Sequence, residues 1–141
     1  RAKALGRTVS VDPGSVAPLR AYGETRFLAD VASVDLLLPN KDEAMALSGS
    51  TGVVAGARAL AQTFPVVVVT RGAAGALWAD RSGVCERPAP ALPGPVLDTT
   101  GAGDAFTAGL LAAWLTGESP LDCLDAGQRA AAETVTRWGA Q

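Results

Sequence analysis

Pro65-Val-Val-Val-Val-Thr70 is the segment that most restricts what this chain can fold into. Four successive valines are crowded at χ1 in a helix and at ease in a strand. Alternate side chains of a strand point to opposite faces, so an unbroken apolar run asks for cover on both, the situation of a parallel sheet flanked by helices. The surrounding pattern agrees. Thr8 to Asp12 and Asp35 to Leu38 are short β-like runs closed by Pro13 and Pro39, and between them Glu24 to Val34 puts Phe27, Leu28, Val31 and Val34 on one helical face. Lys41 to Leu47 and Val53 to Phe64 read as helices. Beyond the valines, Ala76 to Ala79 and Val84 to Glu86 flank the turn residues Asp80 to Gly83, which predicts an antiparallel pair. Pro88 to Pro95 is a rigid connector. Two long helices follow, one from Ala102 to Gly117, the other announced by Ser119-Pro120 and running to about Trp138, with Gly139 as its stop. Strands alternating with helices predict a three-layer α/β/α sandwich with a mostly parallel sheet and an antiparallel edge.

Composition narrows the chemistry. With 141 residues, 48% hydrophobic and 18% charged, the chain can bury a core and is expected to be one domain. Its net charge of −2, with 12 basic residues scattered along the chain, offers no footprint for nucleic acid or an acidic membrane, so a small-molecule partner is expected. There is no histidine, which removes Ser-His-Asp and Cys-His nucleophiles, HExxH metal sites and histidine bases together. Cys85 and Cys123 are far apart and lack a CxxC companion; they read as buried thiols in a reducing cytoplasm. Arg1 to Leu5 with Gly6 reads as the end of a helix inside a fold. No signal peptide is read there, and the apolar runs fall short of the roughly 20 residues of a membrane span. Catalysis is left to carboxylates, backbone amides or a bound metal.

The chemistry gathers at Asp98-Thr-Thr-Gly101-Ala102-Gly103-Asp104, where small residues stand between two aspartates and open an apolar helix. Unpaired N–H groups at a helix start, the helix dipole and the absence of bulky side chains let an anion approach the backbone at Gly101, Ala102 and Gly103. Asp104, one residue on, can accept a proton from a hydroxyl directed at that anion. An aspartate in the first helical turn also serves as a plain dipole partner, and Gly-Ala-Gly also permits close packing. Further candidates stand at strand ends. Asn40 and Glu43 in Pro39-Asn-Lys-Asp-Glu-Ala44 form either a capping box or a polar site at a helix start, and the two uses are compatible. Thr70, Gly72 and Gly75 lie in a glycine turn closing the valine strand. Lys41, Asp42 and Arg71 are read as solvated loop charges, Asp12 as a turn residue, and Trp78, Trp114 and Trp138 as packing residues.

Asp98-Thr-Thr-Gly-Ala-Gly-Asp-Ala-Phe-Thr-Ala-Gly109 resembles the second signature of the ribokinase/PfkB carbohydrate kinases almost position for position, and the resemblance extends over essentially the whole chain. It implies the ribokinase-like fold and ATP-dependent transfer of a phosphoryl group to a hydroxyl of a sugar or nucleoside. Asp104 is then the base, and the amides of Gly101, Ala102 and Gly103 the anion hole. Asn40-x-x-Glu43 is similar to the motif in which the asparagine contacts nucleotide phosphate and the glutamate organises Mg²⁺ through water. Thr70-x-Gly72-x-x-Gly75 is similar to the turn along the ATP phosphates. Ala130 to Ala140 is similar to the helix that walls the adenine, which assigns that role to Thr136, Gly139 and Ala140. Asp98 and Thr100 fall where many members bind a monovalent cation such as K⁺.

Members of that family are about twice as long. The resemblance therefore implies that residues 1–141 form the C-terminal, nucleotide-binding part of a ribokinase-like domain, without the N-terminal half and its lid, and with a cation site lacking further ligands. The complete protein is allowed to be a homodimer. The rival reading is a catalytically silent nucleotide-binding module of the same fold. A hydrolase built on Asp98 and Asp104 is disfavoured because no second metal-binding carboxylate cluster lies near them. With no GxxxxGK[ST] and no GxGxxG after a strand, a P-loop or a dinucleotide Rossmann site is unsupported.

Overall fold

The computed structural model describes residues 2–92 and 94–137. A 3-10 turn at Lys3–Leu5, ended by Gly6 in the left-handed conformation, precedes β1 (Ser10–Val11). Next come α1 (Val16–Tyr22), α2 (Glu24–Asp30), β2 (Leu36–Leu37), α3 (Lys41–Ser48), α4 (Val53–Leu60) and β3 (Val66–Thr70). After a 3-10 turn at Gly72–Ala74, β4 (Ala76–Asp80), β5 (Gly83–Arg87), α5 (Ala102–Leu115) and α6 (Pro120–Val135) complete the order. The strands hydrogen-bond in chain order, β1-β2-β3-β4-β5. β1 and β3 both run parallel to β2, in the registers Ser10 to Leu36 and Leu36 to Val66. The two residues between β4 and β5 can only reverse the chain, so that pair is antiparallel. The sheet is mixed and mostly parallel, as the valine run and the Asp80–Gly83 turn predict.

The chain groups into two compact units. The first is Arg1–Arg71 with Leu77–Val84, and its core takes one face of the strands. Val67, Val69, Leu37 and Leu77 meet Leu47 of α3, Leu60 of α4 and Phe64. Val68, on the opposite face of β3, is also 0% exposed, so both faces of the valine strand are covered. The N-terminal turn is tied to this unit by Asp35, which accepts from the Val9 N–H at 2.8 Å and pairs with the Lys3 ammonium.

The second unit is Gly72–Ala76 with Cys85–Gln141, and α5 and α6 pack closely within it. A Cβ on Gly109 of α5 would stand 2.7 Å from the Ala126 carbonyl oxygen, and one on Gly127 of α6 would stand 2.9 Å from that of Phe106. Each helix thus offers a bare backbone to the other, which brings the axes nearer than larger residues allow. Ser119 caps α6 by accepting from the Asp122 N–H at 3.3 Å, with Pro120 in the first turn, where its missing N–H costs nothing.

Several element ends differ from the sequence reading. α2 stops at Asp30 rather than running on to Val34, because Val31 leaves helical geometry and the Val34 N–H turns back to the Val31 carbonyl at 3.0 Å. Val34 is nevertheless buried in the core. α4 ends at Leu60 and gives way to turns before Phe64. α1 has no counterpart in that reading. Among the described residues no helix is long and apolar enough to cross a membrane.

Candidate active site

In the first unit the C-terminal ends of parallel strands set Asn40, Glu43 and Thr70 together. Pro39 closes the segment after β2, and its carbonyl accepts from the Thr70 N–H at 3.1 Å. Asn40 forms a parallel bridge with Thr70, the last residue of β3. It is also the N-cap of α3: its Oδ1 accepts from the N–H groups of Asp42 and Glu43, each at 3.0 Å, while its own N–H donates to Glu43 Oε2 at 2.9 Å. The capping box is complete. Glu43 is 1% exposed, and its second oxygen, Oε1, is buried without a partner among the described residues. Burial pushes the Glu43 carboxyl above its ordinary range; the Asn40 hydrogen bonds oppose that, and the charges of Asp12 and Asp42 add to it. A buried acceptor left open at a helix start fits a hydrated divalent cation, with a water donating to Oε1. No group of three or more His, Cys, Asp or Glu gathers as a direct metal cage among the described residues. Asp12 is exposed and accepts from the Gly14 N–H at 2.8 Å, the turn role expected of it.

The remaining candidates belong to the second unit. Gly72 is exposed at φ 57° and Gly75 buried at φ 91°, both in the left-handed region, and the Gly75 N–H donates to the Gly72 carbonyl at 3.0 Å. Asp98 Oδ1 accepts from the Thr100 N–H at 2.8 Å, an Asx turn leading into α5. The N–H groups of Leu97 and Asp98 reach the Val135 carbonyl at 2.8 and 3.4 Å, which ties this turn to the end of α6, beside Thr136. The Thr136 hydroxyl donates back to the Glu133 carbonyl at 2.9 Å. Gly139 and Ala140, the other positions assigned to the adenine wall, lie outside the described residues, as does Trp138.

At the start of α5, Gly101 is the N-cap in the left-handed conformation, φ 77° and ψ 0°, with no side chain capping the helix. Ala102 donates its N–H to the Thr99 carbonyl at 3.2 Å, so the middle amide of the trio is engaged in a turn. The N–H groups of Gly101 and Gly103 have no such partner among the described residues. Gly103 is exposed, with open space where a Cβ would stand. Asp104 is exposed in the first turn of the same helix. A carboxylate next to open amides at the positive end of a 14-residue helix can take a proton where negative charge is stabilised.

Residues 2–141 match the family described as pfkB family carbohydrate kinase. The chain belongs to that family. Among curated proteins, this pfkB-family chain is 38% identical to a cytidine kinase of Thermococcus kodakarensis over 111 residues, which is 77% of this chain and 40% of that protein. Among solved structures it superposes with TM-score 0.90 on an adenosine kinase from Sinorhizobium meliloti, at 28% identity, covering 98% of this chain and 42% of the other. A ribokinase from Thermotoga maritima gives TM-score 0.77 at 31% identity, covering 99% and 46%. The fold is the ribokinase fold, and the chain spans less than half the length of each of these relatives.

Sequence reasoning missed one set of residues close to the candidates. Arg87, Asp125 and Gln128 form a polar cluster beside the Gly72–Gly75 turn. Their signal is weak: a glutamine in an amphipathic helix and an arginine ending a strand are unremarkable until tertiary contact joins them.

Proposed function

We propose that this chain is the nucleotide-binding, base-bearing part of an ATP-dependent phosphotransferase whose acceptor is a hydroxyl of a sugar or nucleoside. The observation that carries the reading is the start of α5, where an exposed Asp104 follows a left-handed Gly101 N-cap and the open amides of Gly101 and Gly103. The acceptor hydroxyl gives its proton to the Asp104 carboxylate, its oxygen forms a bond to the γ-phosphorus, and the bond to the bridging oxygen breaks with its electron pair leaving on ADP. Gly101 and Gly103 donate to the γ-phosphoryl oxygens as charge redistributes; Ala102 joins them when it exchanges its bond to Thr99. Asn40, Thr70, Gly72 and Gly75 contact nucleotide phosphate, Thr136, Gly139 and Ala140 wall the adenine, and Asp98 with Thr100 takes a monovalent cation such as K⁺. Mg²⁺, when bound, neutralises phosphate charge, and Glu43 orients its water shell.

The acceptor class rests on kinship with proteins named for cytidine, adenosine and ribose-1-phosphate. The test is Asp104→Asn in the full-length protein, with ADP release measured over a panel of sugars and nucleosides. Turnover is expected to fall by about 10²–10⁴ while ATP affinity stays nearly unchanged; retained turnover would sink the proposal.

A further inference from the structure

Helix α6 grips Arg87 twice. The Asp125 carboxylate meets the guanidinium Nε at 3.2 Å to Oδ1 and 3.3 Å to Oδ2. One turn further on, Gln128 Nε2 donates to the Arg87 backbone carbonyl at 3.0 Å. The two grips differ in weight. The ion pair is more than a third exposed on both sides, and such pairs contribute little. Gln128 is 6% exposed, and its Oε1 is buried with no partner among the described residues. An orphaned buried acceptor is costly, and an apolar side chain of the same length would avoid that cost. What Gln128 supplies in return is the bond to the carbonyl.

That carbonyl oxygen walls the glycine turn. A Cβ on Gly75 would overlap it and would stand 2.7 Å from Ala89 N and the Pro88 carbonyl carbon. The turn has no long side chain of its own to anchor it: residues 72–75 are Gly-Ala-Ala-Gly. The turn rests on this backbone, to which Gln128 donates from α6.

We infer that Gln128 is a positioning residue for the nucleotide: through the Arg87 carbonyl it holds the Gly72–Gly75 turn where its backbone meets ATP phosphate. The inference rests on the reading of that turn as a phosphate-contacting segment, and it makes α6 part of what determines ATP affinity.

The test uses full-length wild type, Gln128→Met and Gln128→Asn, with equilibrium binding of a fluorescent ATP analogue, steady-state kinetics and thermal unfolding. Gln128→Met keeps length while removing both the donor and the orphaned acceptor; Gln128→Asn keeps the amide but shortens its reach, and carries the same measurement should the first variant fold poorly. The expected result is a rise of about tenfold in Kd and KM for ATP, the size of one net hydrogen bond. Acceptor KM and kcat should stay within about twofold, and Gln128→Met should melt close to wild type, because removing the orphaned Oε1 offsets the loss of the Arg87 carbonyl's donor. Unchanged ATP affinity in a folded variant overturns the positioning role, as does a parallel loss in both substrates accompanied by lower melting. Wild type that fails to bind the analogue overturns the reading of the turn itself, and the role of Gln128 with it.

Discussion

Asn40 and Glu43 satisfy each other reciprocally: the Asn40 side chain accepts from the Glu43 N–H at 3.0 Å, and the Glu43 carboxylate accepts from the Asn40 N–H at 2.9 Å. One Glu43 oxygen serves the fold, and the other, Oε1, has no hydrogen-bond partner among the described residues. On the proposed function, stability and cation binding would fall to two different atoms of one side chain. Glu43→Gln keeps an acceptor for the Asn40 N–H, so its unfolding free energy should stay within about 0.5 kcal/mol of wild type, whereas Asn40→Ala should lose about 1 kcal/mol. In the full-length protein, Glu43→Gln should raise the Mg²⁺ concentration for half-maximal turnover about tenfold or more. Urea titration and Mg²⁺-dependent ADP release separate the two effects; a Glu43→Gln protein as unstable as Asn40→Ala would refute the division.

Gly103 has open space at the Cβ position and no positive φ. Gly103→Ala should therefore stabilise the start of α5, by up to about 1 kcal/mol. On the proposed function the added methyl would stand where the γ-phosphoryl group comes close to the backbone, so turnover should fall although the protein melts higher. A variant both more stable and fully active would mean that no ligand approaches this amide.

Gly109 and Gly127 also lie outside the positive-φ set, so backbone strain does not explain them. Their Cβ positions collide with the facing helix, 2.7 Å from the Ala126 carbonyl oxygen and 2.9 Å from that of Phe106. Gly109→Ala and Gly127→Ala should each lower stability by about 1–3 kcal/mol through overpacking. Calorimetry on the single variants checks this, and a neutral result at either site would show that the helices part easily.

Hydrogen bonds from the Lys3 ammonium and the Val9 N–H hold the Asp35 carboxyl below the ordinary aspartate value of 3.8. The folded state thus favours the ionised form more than the unfolded chain does. The resulting stability is fully present above pH 3.8 and is lost as pH falls through the lower folded value. Asp35→Asn should be less stable than wild type by about 1 kcal/mol at neutral pH, the gap closing as pH falls below 3.8. Parallel stability curves for the two proteins across that range would contradict the assignment.

Much of the fold is legible because its signals are local. Four valines in a row require cover on both faces, and Val67, Val68 and Val69 are all 0% exposed. The Asp98–Asp104 segment declares a helix start by residue type alone, and α5 begins at Ala102. α1 escaped notice because it is only seven residues long and carries Pro18, which reads as a breaker. In the first turn of a helix an N–H has no intrahelical acceptor to lose, so the proline is tolerated there. The engagement of Ala102 with Thr99 was not legible either, since the sequence gives the amides but not the turn that occupies one. The Gln128 bond joins residues 41 apart, and no periodicity carries that information.

The reciprocal seating of Gly109 and Gly127 has a mechanical consequence. Each notch receives the other helix's backbone at its glycine, so sliding α5 along α6 by a residue or more would set a side chain against that backbone. The pair works as a detent. Asp104, at the start of the same helix, takes its axial placement relative to α6 from that seat.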